Sequence, residues 1–204
     1  MSAGIAFGST RSRRYAAVFA LAFPAVPATA AEPVEARYTS LDLDACTVLE
    51  TVQEGVGVAL VCEGLDGIPV HVTEGDLRFD VDFGVPDDRT DTFAPFHFPG
   101  TRIEWRVAGG APFAAVLRFT IEDTGVEPPS PQRGSVLGIF QVGRDGVPGC
   151  PVAYVDALLN EDANTIARQV ADAFARPFRC GTDRATYVGR TGPLSGSASA
   201  TMAD

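Results

Sequence analysis

The feature that most constrains this chain is a strict alternation of apolar and charged residues in three separate stretches. In the first stretch, residues 76–83, the alternating residues are Asp76, Leu77, Arg78, Phe79, Asp80, Val81, Asp82 and Phe83. The alternation recurs at residues 102–107 and 117–122. Because successive side chains of a β-strand point to opposite faces, the pattern predicts strands with one face on a core and the other in water. Such half-buried strands are typical of antiparallel sheets.

The charged positions of these strands have two interpretations. We expect them to form a solvated outer face, on which opposite charges of neighbouring strands attract by roughly 0.2–1 kcal/mol per pair. The alternative is a calcium site, because five aspartates crowd around Gly84 in the sequence: Asp80, Asp82, Asp87, Asp88 and Asp91. Their carboxylate oxygens suit calcium, but the spacing departs from that of an EF-hand loop and lacks its closing glutamate.

One helix is predicted near the C-terminal end of the folded region. Its apolar residues recur at helical spacing: Ala163, Ile166, Ala167, Val170, Ala171 and Phe174. Asn160 can cap the helix, and Pro177 can end it. The sequence therefore predicts an α+β domain over residues 31–187, with a mostly antiparallel β-sheet (sandwich or open barrel) and one C-terminal α-helix. The small, polar residues 188–204 are predicted to form a disordered tail.

The first thirty residues have the pattern of a signal peptide. Three arginines (Arg11, Arg13 and Arg14) precede the apolar run of residues 15–23, and small residues at 28–30 suggest cleavage after Ala30. The apolar run is too short to span a bilayer, so we expect no stable membrane insertion. These features predict a periplasmic or secreted protein.

Four cysteines follow the predicted leader: Cys46, Cys62, Cys150 and Cys180. In an exported protein an even number of cysteines indicates disulfides, and four of them allow three connectivities. We favour the bridges between near neighbours, Cys46–Cys62 and Cys150–Cys180. A zinc site made of all four cysteines is the alternative, but the chain has no CxxC pair.

The charge of the chain narrows the class of partner. The net charge is −10, and all 16 basic residues are arginines. Without the three arginines of the leader, 13 basic residues face 26 acidic ones. Such a surface repels phosphate backbones, which disfavours nucleic acid as a partner, and it attracts basic proteins. A basic envelope protein is therefore the predicted partner.

The sequence offers few candidate catalytic residues and no motif that predicts a cofactor. Its two histidines are His71, on the polar side of a predicted strand, and His97, which lies among phenylalanines. The chain has no G-x-S-x-G motif and no phosphate-binding glycine loop. We predict a non-enzymatic binding or envelope-associated protein. The alternative is a metal-dependent hydrolase that uses His71, His97 and the nearby aspartates Asp80, Asp82, Asp87 and Asp88.

Several stretches together resemble a group of uncharacterised exported bacterial proteins. The stretches that carry the resemblance are Cys62–Gly64, Gly67–Val70, Glu74–Gly84, Trp105–Arg106, Pro112–Ala114, Tyr154–Asp172 and Phe178–Cys180. The resemblance covers most of the chain from Tyr38 to Cys180. It implies the outline of one domain and supports the local disulfide pairing. It implies no activity, cofactor or catalytic residue.

Overall fold

The computed structural model describes Met1, residues 32–51, 57–122 and 133–196, and the backbone of residues 198–202. The predicted signal peptide, Met1 apart, lies outside the described residues. Among those residues, none of the helices has the length and hydropathy needed to cross a bilayer.

Strands dominate the structure. In chain order the elements are β1 (Val34–Ser40), β2 (Thr47–Thr51), β3 (Gly57–Glu63), β4 (Pro69–Gly75), β5 (Arg78–Phe83), β6 (Arg89–Phe93), β7 (Phe96–Ala108), β8 (Ala111–Glu122), β9 (Arg133–Gln141), β10 (Pro151–Asp156), helix α1 (Ala163–Phe174), β11 (Thr186–Tyr187) and β12 (Ala198–Met202). Three short 3-10 turns lie at Leu43–Ala45, Leu65–Gly67 and Pro193–Ser195.

The strands form two main sheets and a small ribbon. The large sheet has the order β1-β7-β8-β9-β10-β11, the small sheet has the order β2-β3-β4-β5, and β12 pairs with β6. Nearly all neighbours are antiparallel, the exception being β10 with β11. The predicted α+β class, with a mostly antiparallel sheet and one helix, is confirmed.

Two apolar layers lie on opposite faces of the large sheet. Between the two sheets the side chains are large and include Phe83, Trp105 and Phe140. Between the large sheet and α1 they are small, and the helix contributes Ala163, Ala167, Val170, Ala171 and Ala175. The helix therefore approaches the sheet closely. Phe174, predicted to belong to the apolar stripe, is 58% exposed because it lies beyond the edge of this contact.

The predicted pairing of charges would require the three alternating stretches to lie side by side in one sheet. They do not. Residues 102–107 and 117–122 lie on the adjacent strands β7 and β8, whereas residues 78–83 lie on β5 in the other sheet. The first stretch also begins later than predicted. Asp76 and Leu77 have φ values of 51° and 59° and form the two-residue turn between β4 and β5. Positive φ at both central positions is the geometry of a type I′ hairpin.

Both predicted disulfides are present. Cys46–Cys62 joins the start of β2 to the end of β3, and Cys150–Cys180 joins the start of β10 to the segment after α1. Beside the second bridge, the Gln141 side-chain amide donates to the carbonyls of Ala175 (2.6 Å) and Phe178 (3.1 Å). The C-terminal end of the helix is thus attached to the large sheet both covalently and by hydrogen bonds.

Part of the predicted tail, residues 188–204, is described by the structure and contacts the segment between β10 and α1. Ser195 is 3% exposed, and its hydroxyl donates to the carboxylate of Asp156. Asn160, predicted as a helix cap, instead binds the tail: its side chain accepts from the Arg190 N–H and donates to the Arg190 carbonyl. Further on, β12 pairs with β6. Residues 197, 203 and 204 of the predicted tail lie outside the described residues.

Candidate functional site

Aspartates within and just after the first alternating stretch gather against a partly covered face of the small sheet. Asp80 and Asp82 lie on β5, Asp87 lies in the following loop, and Asp91 lies on β6. We refer to these four aspartates together with Arg89 as the acid cluster. Asp88, the fifth predicted candidate, has an exposed side chain outside this cluster.

The acid cluster is not the solvated face that the sequence predicted. Asp80 is 8% exposed, and it accepts a hydrogen bond from the Asp91 backbone N–H at 3.2 Å. Arg89 Nε donates to Asp87 Oδ2 at 2.8 Å, and Arg89 Nη2 lies 3.8 Å from Asp91 Oδ2. Within this partly buried cluster of four carboxylates, the Arg89 guanidinium contacts two, those of Asp87 and Asp91. The alternation placed Asp80 on the polar face correctly, but β6 covers that face.

Burial and mutual repulsion change the protonation of this cluster. Loss of hydration, followed by repulsion from Asp82 and Asp91, raises the pKa of Asp80 to about 8. Loss of hydration and the charges of Asp87 and Asp91 raise the pKa of Asp82 to about 7. The pKa of Asp91 is also raised, chiefly by burial. Near neutral pH the cluster therefore holds protons that ordinary aspartates have lost.

The two histidines do not join the aspartates in a metal site. His71 lies opposite Asp82 in the β4–β5 pairing, and burial lowers the pKa of its imidazole. His97, on β7, is fully buried, and burial lowers its pKa too. Among the residues that the structure describes, no three histidine, cysteine, aspartate or glutamate side chains are arranged to hold a metal ion. The geometry thus supports neither the calcium interpretation nor the metal-dependent hydrolase.

His97 instead closes one edge of the small sheet. Its Nε2 lies 3.0 Å from the Phe79 nitrogen and 2.7 Å from the Phe79 oxygen, and its backbone N–H donates to the Leu77 carbonyl at 3.1 Å. Its Nδ1 lies 2.9 Å from the Pro95 carbonyl oxygen. The backbone groups of Leu77 and Phe79, at the start of edge strand β5, are therefore occupied by His97 of β7.

The opposite edge of the same sheet is exposed. All five residues of β2, Thr47–Thr51, are exposed, and Val48 and Leu49 are exposed by 57% and 59%. The pairing of β2 with β3 is irregular between Val48 and Glu50. An exposed edge strand presents unpaired backbone groups to which another extended chain can pair.

An acidic recess adjoins the start of β2. It is a cleft of about 420 Å³ around the Cys46–Cys62 bridge, lined by Thr39, Ser40, Asp42, Ala45, Cys46, Cys62, Glu63 and Gly64. We call it the disulfide notch. Among the described residues, its lining holds two carboxylates, those of Asp42 and Glu63, and no basic side chain. Sequence reasoning missed both acids, although their positions near bridged cysteines could have indicated that they lie close together.

Comparisons with known proteins do not assign this chain to a family. No protein-family profile matches the chain, and no curated protein or solved structure is significantly similar to it. The resemblance to a group of exported bacterial proteins stays a prediction.

Proposed function

We propose that this protein is a non-enzymatic binding protein of the periplasm or the extracellular medium, and that it binds an extended, basic segment of a partner protein along β2. The observation that carries the proposal is the exposed edge of β2 beside the disulfide notch. Strand addition to a sheet edge is a common mode of peptide recognition, in which backbone hydrogen bonds supply affinity and side-chain pockets supply specificity.

The contrast between the two edges of the small sheet supports this assignment. At β5, His97 occupies backbone groups of the edge, and β6 covers the adjoining polar face. At β2, the exposed side chains include two apolar ones, Val48 and Leu49, in a strand that carries one charge, from Glu50. Monomeric proteins usually protect edge strands with basic residues, proline or a covering loop. The irregular pairing near Leu49 is one such protective feature, but it leaves the apolar side chains in water.

The charge around β2 selects the chemistry of the partner. Asp42 and Glu63 line the notch, Asp44 lies in the turn before β2, and Glu50 lies on the strand itself. A lysine or arginine of the added segment can enter the notch while its apolar neighbours cover Val48 and Leu49. The net charge of −10 adds long-range attraction, which raises the association rate at low salt.

The proposed compartment rests on the two disulfides and on the predicted leader. Both bridges have formed, and bridges of this kind persist in oxidising compartments. Fractionation of a bacterial host that expresses the full chain, with mass determination of the product, tests the compartment and cleavage after Ala30. An uncleaved cytosolic product with reduced cysteines would contradict this part of the proposal.

The binding mode can be tested with two synthetic peptides, one alternating arginine with valine and the other alternating glutamate with valine. We expect the basic peptide to bind at low salt and to slow amide hydrogen exchange in β2, because its backbone pairs with that edge. The acidic peptide should do neither. Equal binding of the two peptides, or basic-peptide binding that leaves exchange in β2 unchanged, would refute the proposal.

The contribution of the notch can be tested by removing its charge. The double variant Asp42→Asn/Glu63→Gln is expected to weaken binding of the basic peptide by about tenfold or more at low salt. Asp145→Asn is the matched control, because Asp145 is an exposed acid in a distant turn. If the control weakens binding as much as the double variant does, the attraction comes from net charge and the notch has no specific role.

A further inference from the structure

A second, larger cleft lies between the large sheet and helix α1. Its volume is about 630 Å³, within the range of sites for small organic ligands. Its polar lining includes Tyr38, Arg102, Glu104, Arg118, Asn164 and Arg168. We call it the arginine cleft. It is formed by the large sheet and α1, whereas β2 belongs to the small sheet, so an inference drawn from it is independent of the proposed function.

Positive charge predominates in the arginine cleft, although the chain as a whole is acidic. Three arginines line it against a single carboxylate, that of Glu104. That carboxylate is already bound by Arg168, with Nε–Oε1 and Nη2–Oε2 distances of 2.7 and 2.9 Å. Tyr38 also donates its hydroxyl to Glu104 at 3.2 Å. Within the described residues, neither Arg102 nor Arg118 has a carboxylate partner.

Arg118 is held in place by neutral groups. Its Nη1 donates to the Ser135 hydroxyl at 2.7 Å, and its Nη2 donates to the Asn164 side-chain oxygen at 3.3 Å. These two bonds orient the planar guanidinium but do not neutralise it. Burial lowers the pKa of Arg118, the direction expected for a cation that has lost water without gaining an anion. The guanidinium is thus oriented and partly dehydrated, and none of the described carboxylates balances its charge.

The cleft also presents aromatic and apolar side chains beside its arginines. The Arg102 guanidinium stacks on the Tyr38 ring, with its central carbon 4.1 Å from the ring centroid. Val116 and Leu137 contribute buried apolar side chains. A guanidinium matches the two oxygens of a carboxylate with parallel N–H donors, which a lysine ammonium cannot do. The lining therefore offers charge to one end of a ligand and an apolar contact to the other.

We propose that the arginine cleft binds a small organic carboxylate. Arg118 and Arg102 hold the carboxylate, and the apolar part of the ligand lies against Val116 and Leu137. Arg168 stays bound to Glu104 and maintains the shape of the cleft. Because the surrounding surface is acidic, the cleft is a local attractive region for an anion that the rest of the protein repels.

The binding class can be tested with three probes: phenylacetate, inorganic phosphate and phenylethanol. Each is titrated into the full mature protein, and the arginine Nε–H signals are followed by NMR. We expect phenylacetate to shift the Arg118 and Arg102 signals with saturation, and the other two probes to bind at least about tenfold more weakly. Phosphate binding as tight as phenylacetate would refute the apolar half of the proposal. Equally tight phenylethanol would refute the carboxylate half.

Variants separate the role of Arg118 from general charge. Arg118→Gln is expected to weaken phenylacetate binding by about tenfold or more, and Arg118→Lys to recover little of it, because a lysine ammonium lacks the paired donors. Arg184→Gln, at an exposed arginine outside the cleft, should change binding by less than about twofold. Binding that survives Arg118→Gln would overturn the proposal. The titration of the unsubstituted protein decides the matter independently if that variant fails to fold.

Discussion

The acid cluster and the arginine cleft each hold an excess of one charge, but the two excesses can be neutralised in different ways. The acid cluster comprises four carboxylates and one guanidinium, and the raised pKa values of Asp80 and Asp82 allow protons to reduce the excess of negative charge. The arginines of the cleft have no such route, because guanidinium groups keep their protons at every physiological pH. An excess of carboxylates is therefore compatible with a structural role, whereas the excess of arginines agrees with the proposed binding of an anion.

The largest effect that we expect from this comparison is a pH dependence of the free energy of unfolding. Carboxylates with raised folded-state pKa values bind more protons in the folded protein than in the unfolded chain, so the free energy of unfolding should fall as the pH rises from about 4 to about 8. The loss should reach several kcal/mol, because each unit of pKa shift corresponds to roughly 1.4 kcal/mol. Urea unfolding followed by tryptophan fluorescence at several pH values measures it.

The variant Asp80→Asn assigns that slope to the acid cluster. The side-chain oxygen that accepts from the Asp91 N–H is kept, while the charge that interacts with Asp82 and Asp91 is removed. We expect the variant to be more stable than the natural protein at pH 8, because Asp80 begins to ionise in the folded protein near that pH and asparagine does not. The free energy of unfolding should also depend less on pH. Asp88→Asn, at the exposed neighbouring aspartate, should change neither. A variant that is less stable than the natural protein at pH 8 would show that the ionised cluster stabilises the fold.

A smaller effect is expected for a paired arginine beneath the helix. Arg106, on β7, is 8% exposed in its side chain and forms two hydrogen bonds of 2.7 Å to Asp172 of α1. Arg106→Met should lower the free energy of unfolding by about 2–3 kcal/mol, because it leaves Asp172 and Glu104 without that partner. The double variant Arg106→Met/Asp172→Leu should recover part of the loss. No recovery would mean that the ion pair is not the source of the effect.

Arg118, which has no carboxylate partner within the part of the chain that the structure describes, should behave differently from Arg106. Arg118→Met should change stability by less than about 1 kcal/mol, because the two lost hydrogen bonds are offset by removal of a partly dehydrated charge. The same urea experiment measures this change. A loss as large as that of Arg106→Met would place Arg118 among the structural arginines, which would remove the distinction between the two regions.

The smallest expected effect concerns His71, opposite Asp82. Burial lowers the imidazole pKa in the folded protein, so stability should be lost as the pH falls through the ordinary histidine range, a slope opposite to that of the acid cluster. Because the ring is partly exposed, the effect should stay below about 0.5 kcal/mol. His71→Gln should remove it. If His71→Gln has the same dependence of stability on pH as the natural protein in the ordinary histidine range, His71 contributes nothing to that dependence.

Local patterns predicted the fold class, the helix and the disulfides, because periodicity and cysteine spacing act over short distances. They did not predict that Asp80 is buried, since β6 and its partner β12 lie in segments whose composition suggested loop and tail. The arginine cleft was missed for a similar reason. Arg102 and Arg118 were recognised as polar positions of strands, but the cleft also needs Tyr38 and Arg168, which are far apart in the sequence. Clusters that span distant elements leave little trace in local periodicity.

The attachment of helix α1 has a consequence for the arginine cleft. Gln141 and the Cys150–Cys180 bridge fix the C-terminal end of the helix, while the first half carries Asn164 and Arg168, which line the cleft. The bonds that fix the helix and the side chains that would meet a ligand are therefore at opposite ends of α1. A substitution in the cleft can change the ligand-facing surface while it leaves the covalent attachment of the helix intact.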